Sequence, residues 1–131
     1  MFLGQYQPNL DQKARIILPK KIRKAIDGRE IIVARGFEQC IFGFEKKVWQ
    51  DRTDKELLQP ITDATSRNNR RYLFSGASLV ELDQQGRFVI PRNLITFAHI
   101  TKDVMVIGAG DHFEIWDSKT WENYQTRLEQ L

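Results

Sequence analysis

Two pairs of charged residues, Asp11 with Arg15 and Asp83 with Arg87, stand in nearly the same phrase: LDQKARIILP at residues 10–19 and LDQQGRFVIP at 82–91. An aspartate and an arginine four apart could pair on a helix surface, but the surroundings predict otherwise. Gln85-Gly86 is a turn signal, and RIIL and RFVI are extended runs rich in β-branched residues. Each aspartate is therefore expected to start a turn and to accept backbone N–H groups through its carboxylate. Each arginine then leaves its turn at the start of a strand. A guanidinium held in this way can offer two parallel donors to the O6 and N7 edge of guanine, or to a phosphate. Restraint by the aspartate reduces the rotamer freedom lost on binding. The competing reading is a surface ion pair worth about 0–1 kcal/mol. Duplication of the phrase favours binding, as do the cations Lys13, Lys20, Lys21, Arg23 and Lys24 around its first copy. Gln12, Gln84 and Gln85 add amides suited to adenine or phosphate.

The duplication runs well beyond the phrase. At an offset of 72 without a gap, Phe2, Gly4, Leu10, Asp11, Gln12, Arg15 and Pro19 meet Phe74, Gly76, Leu82, Asp83, Gln84, Arg87 and Pro91. Gly36, Lys47 and Trp49 meet Gly108, Lys119 and Trp121. One half reads as a strand over 5–10, a turn over 11–14 and a strand over 15–18. A short helix follows from Pro19, since proline suits a first helical position. Strands over 30–35 and 40–44 and a helix over 45–57 complete it. The second half repeats this with strands over 78–82, 87–90, 103–107 and 112–116, and a helix from about Ser118, which can cap it. Between the copies, residues 61–74 predict a helix starting near Thr62 or Asp63, whose RNNRR cluster is either a solvated face or a phosphate contact.

A half of this size buries too little apolar surface to stand alone. Residues 1–72 and 73–131 are therefore expected to form one compact, mainly β unit with short helices and an internal pseudo-two-fold. Pairing of the two halves into a closed barrel would also remove strand edges. Trp49, Trp116 and Trp121 are expected in the core or at a subunit interface rather than stacked on bases.

Composition narrows the function classes. The 131-residue chain has 20 Lys+Arg against 17 Asp+Glu, which allows an anionic partner without demanding one. Residues 1–36 hold eight Lys/Arg and three Asp/Glu, whereas residues 73–131 hold five and eight. This asymmetry predicts that a polyanion meets the first third of the chain best, and that Arg15 outweighs Arg87. The lone Cys40, in an apolar stretch, predicts a buried, inert thiol. His99 and His112 are isolated in sequence, so no metal-ligand spacing is present. No glycine-rich phosphate loop or Ser/His/Asp grouping predicts catalysis, so no enzyme, cofactor or small-molecule substrate is expected. MFLGQYQP is not a signal peptide and no stretch is long and apolar enough for a membrane span, so a cytoplasmic setting is the expectation.

LDxKxRIxLPxKIR near the start, LDxxGRxxIPxxL in the second half, a glycine turn between β-runs and EIWDxxxWExY near the end together resemble the MraZ family of bacterial transcription factors, in the AbrB/SpoVT superfamily. The resemblance covers essentially the whole chain. It implies a tandem-repeat, swapped-hairpin, AbrB-like double-split β-barrel that assembles into a ring-shaped homo-oligomer. It further implies nucleoid-associated binding of double-stranded DNA at direct repeats upstream of the division and cell-wall gene cluster, and repression there. DNA contacts are expected from Gln12, Lys13, Arg15, Lys20, Lys21 and Arg87, with Asp11, Asp83 and Gly86 shaping the turns. The alternative is an AbrB-like antitoxin or other protein-binding module, which would not shift direct-repeat DNA. The first copy departs from the pattern by placing Ala14 where the second has Gly86. If that position needs positive φ, alanine costs on the order of 1 kcal/mol.

Overall fold

The computed structural model describes residues 1–131. In chain order its elements are β1 (Gln5–Tyr6), β2 (Arg15–Ile17), α1 (Lys20–Lys24), β3 (Glu30–Arg35), β4 (Ile41–Glu45), α2 (Lys46–Leu58) and α3 (Ala64–Ser75). The second copy supplies β5 (Ser78–Glu81), β6 (Arg87–Val89), α4 (Arg92–Phe97), β7 (Val104–Gly108), β8 (Phe113–Asp117) and α5 (Ser118–Glu129). The fold is thus mainly antiparallel β with short helices. β1 is shorter than the sequence predicts: it ends at Tyr6, before Pro8, and Leu10 forms a single bridge to Ile16.

The two copies exchange strands. A six-stranded sheet runs β1-β7-β8-β4-β3-β5, and β2 pairs with β6 in a separate two-stranded ribbon. β1 of the first copy adds to β7 of the second, and β5 of the second adds to β3 of the first. The registers are symmetric. Arg15 faces Val89 and Ile17 faces Arg87 across the Ile16–Phe88 pair. Ile41 faces Ile115 and Gly43 faces Phe113 across the Phe42–Glu114 pair. A pseudo-two-fold therefore passes through Ile16–Phe88 and Phe42–Glu114. The expected closed barrel is corrected: the large sheet keeps two ends, β1 and β5, which are only two and four residues long. Such short edges offer little template for further pairing.

Alternation decides which side chains go inward. β3 from Ile31 and β7 from Val104 share one burial pattern, and β4 and β8 share theirs except at the last residue, where Asp117 is buried and Glu45 only half-buried. The main core draws on both copies, including Ile16, Leu18, Ile31, Phe88, Ile90 and Val104. Trp49, Trp116 and Trp121 are all buried, in two satellite clusters beneath the helices.

These patterns also correct the ungapped alignment. α4 is one residue longer than α1, with caps at Ala98 and Ala25. Ile31 and Val104 are consequently equivalent at an offset of 73, and the shorter β7–β8 turn restores 72 at Phe113. The counterpart of Gly108 is Arg35, so the Gly36–Gly108 identity is coincidental. Helix capping differs too. Asp117, not Ser118, caps α5 by accepting from the Thr120 N–H, and Asp63 caps α3 by accepting from the Ser66 N–H. An aspartate at this position also favours the positive end of the helix dipole.

Candidate nucleic-acid interface

Both Asp–Arg turns have the same wiring. Asp11 Oδ1 accepts the backbone N–H groups of Lys13 and Arg15 at 2.9 Å each, and Asp11 Oδ2 accepts Arg15 Nε at 2.9 Å. Asp83 Oδ1 accepts from Gln85 and Arg87 at 2.8 and 2.9 Å, and its Oδ2 accepts Arg87 Nε at 2.8 Å. The Arg15 backbone N–H holds the Asp11 carboxyl below its usual range, helped by the Arg15 side chain and the Lys13 N–H. Arg87 does the same for Asp83. In each copy the aspartate takes the Nε of the fork, and the two terminal Nη groups donate to no protein atom. Both side chains stay about one-third exposed, at 39% and 34%.

The fourth turn residue has positive φ in both copies: 61° at Ala14 and 79° at Gly86. The alanine therefore occupies a strained conformation. Ala14→Gly is expected to raise stability by up to about 1 kcal/mol, the released strain exceeding the added chain entropy. A urea midpoint that fell would contradict this.

Each turn is braced by the opposite copy. Leu18 N–H donates to Gly86 O at 3.0 Å, and Ile90 N–H donates to Ala14 O at 2.8 Å. Arg23 Nη1 donates to Gln85 O at 3.1 Å, and a Cβ on Gly86 would lie 2.0 Å from Arg23 Cδ. The basic helix α1 thus serves the second turn, although it follows the first in sequence. The first turn meets α4 instead, in a groove lined by Asp11, Gln12, Ala14, Arg92 and Ile95 among others. The charge ranking of Arg15 over Arg87 therefore counts Arg23 with the wrong turn. Strand exchange carries Arg23 of α1 to the second turn, against Gln85 and Gly86.

Gln12 and Lys13 are exposed at the first turn, and Lys20 and Lys21 on α1. Sequence reasoning missed Arg92, the exposed counterpart of Lys20. The offset of 72 already aligned those two. The RNNRR cluster is largely occupied: Arg67 Nη1 donates to Ile61 O, and Arg70 Nη2 to Leu57 O and Gln59 O. These bonds tie α3 to the end of α2. The Cys40 thiol is fully buried, and desolvation pushes its pKa up, as expected of an inert cysteine.

His112 is isolated in sequence, but the fold sets it between two acids. Its Nδ1 lies 2.8 Å from Asp111 Oδ1 and its Nε2 2.9 Å from Glu114 Oε2. Arg52 Nε donates to Asp111 Oδ2, and Trp116 Nε1 donates to Glu114 Oε1. Burial alone would lower the His112 pKa, but the hydrogen bonds to Glu114 and Asp111 outweigh it and the net shift is upward from 6.5. A raised folded-state pKa contributes stability that is complete below 6.5 and lost as pH rises through the folded value. Thermal stability is expected to fall over that rise, and His112→Gln should flatten the slope. An unchanged slope in the variant would contradict the assignment.

No helix is long and apolar enough to cross a membrane. A protein-family model described as "MraZ protein, putative antitoxin-like" matches the chain twice, over residues 1–71 and 73–131.

Proposed function

The chain belongs to the MraZ family, and from that premise we propose that it is a sequence-specific DNA-binding transcriptional regulator without catalytic activity, whose reading surface is the β2–β6 ribbon and its two turns. One observation carries this reading. In both copies an aspartate fixes the Nε of an arginine and leaves both Nη groups unpartnered on an exposed ribbon face. Bidentate recognition of guanine or phosphate requires such free donors. A ribbon of three residues per strand is about 10 Å long, and a two-stranded β-ribbon can enter the major groove. Gln12, Lys13, Lys20, Lys21 and Arg92 then supply backbone contacts around it.

One chain offers only two such arginines, so specific binding needs several chains on successive direct repeats. Phe37, Leu58 and Ile61, at 70%, 83% and 64% exposure, leave apolar surface for assembly into a ring. The exchange of edge strands supports an AbrB-like, swapped-hairpin description of the fold. Repression follows if the occupied repeats overlap a promoter of the division and cell-wall cluster, and the protein then sits on the nucleoid. The test is a fluorescence titration of a labelled random-sequence duplex at several salt concentrations, with light scattering on the free protein. Affinity should fall linearly on a log–log plot against salt, and the scattering mass should exceed that of one chain. A flat plot would overturn the proposed surface, and a monomer at micromolar concentration would overturn the ring.

A further inference from the structure

Between the two arginines lie two residues with no role so far. Ile17 and Val89 are 45% and 55% exposed, although both sit within strands. The inward needs of the ribbon are already met by Ile16 and Phe88, at 0% and 5% exposure. Pairing sets Arg15 beside Val89 and Ile17 beside Arg87. The outward face is therefore a square of four side chains, with arginines on one diagonal and branched aliphatics on the other. Arg15, Ile17 and Arg87 line one shallow groove of about 300 Å³ together with Asn9, Leu10 and Asp11.

A protein partner seated on this square would have to bury two guanidinium groups whose Nη donors are unpaired. The DNA major groove supplies acceptors for both. It also presents one apolar group on its base edges, the 5-methyl of thymine. Resting on the DNA-binding reading above, we propose that Ile17 and Val89 are specificity-determining residues that pack on thymine methyls beside the bases read by Arg15 and Arg87. Directly opposed side chains in a ribbon stand about 5 Å apart and diagonal ones about 7–8 Å. Bases along one strand are about 3.4 Å apart. Each thymine therefore lies within about two base pairs of a contacted guanine. The pseudo-two-fold through Ile16–Phe88 places the two thymines on opposite strands, related by a local dyad.

The experiment uses a duplex selected by the wild-type chain from a random-sequence library, resynthesised with deoxyuridine replacing one thymine at a time. Loss of one buried methyl should weaken binding about fourfold, at two dyad-related positions. Ile17→Ala and Val89→Ala should each bind the thymine duplex more weakly and lose discrimination at one of those positions. Both residues are exposed, so the fold should survive. Binding indifferent to deoxyuridine, or discrimination that persists in the double variant, would overturn the proposal while leaving the DNA reading intact. Variants that dissociate the oligomer yet keep discrimination would also overturn it, by assigning the pair to a subunit contact. Failure to select any duplex would instead overturn the DNA reading itself.

Discussion

Arg15→Ala and Arg87→Ala are each expected to weaken binding of the selected duplex by roughly 5- to 150-fold, the loss of one bidentate base contact. The two losses should be similar. Both arginines have the same aspartate restraint, and the pseudo-two-fold puts them on one ribbon face. The sequence alone favours Arg15, because most of the positive charge lies in the first third of the chain. Strand exchange redistributes part of that charge: Arg23 of α1 donates to Gln85 O in the second turn. Lysine replacements should fall nearer to alanine than to wild type, since an ammonium keeps the charge but not the fork. Size exclusion should give the same elution for the variants as for the wild type. A loss confined to Arg15→Ala would mean that sequence position, not the folded arrangement, ranks the two turns.

Gly43→Ala is expected to destabilise the chain by about 3 kcal/mol, the upper part of the usual range for overpacking. A Cβ at Gly43 would lie 2.2 Å from Phe113 Cζ and within 2.7 Å of two further ring atoms. The ring cannot easily retreat, because Phe113 is fully buried and meets Phe2 edge-on at 5.4 Å. Symmetry gives the reason for the glycine. The pairs flanking the axis are Ile41–Ile115 and Phe113–Gly43. One pair splits the volume evenly, and the other gives it all to a phenylalanine. Gly43→Ala combined with Phe113→Ile should therefore recover much of the loss. Chemical denaturation of both variants checks this, and additive losses in the double variant would contradict the volume exchange.

Much of this was legible in the sequence because the chain repeats itself. Short apolar runs marked β3, β4, β7 and β8 to within a residue, and Gln85-Gly86 marked the turn that fixes Arg87. The aspartate's acceptance of two backbone N–H groups followed from residue type and spacing. What stayed hidden depends on which copy pairs with which. A local pattern does not say that β1 joins β7 or that Arg23 supports Gly86, because both halves present equivalent partners. The one-residue extension of α4 was masked by the Gly36–Gly108 coincidence. Asp111 and Glu114 are not marked by any local pattern, since only the β7–β8 turn folds them around His112. The outward exposure of Ile17 and Val89 was invisible for a similar reason. RIIL and RFVI look uniformly apolar until pairing decides which members face the core.

The most direct test of the central claim, that the β2–β6 ribbon and its turns form the DNA-reading face, is hydrogen exchange of the intact protein with and without the selected duplex. The arrangement predicts protection concentrated in peptides covering residues 10–24 and 82–92, equally in both copies, with α2 and α3 unchanged. Protection centred on α2 and α3, or none in the Asp–Arg turns, would contradict it.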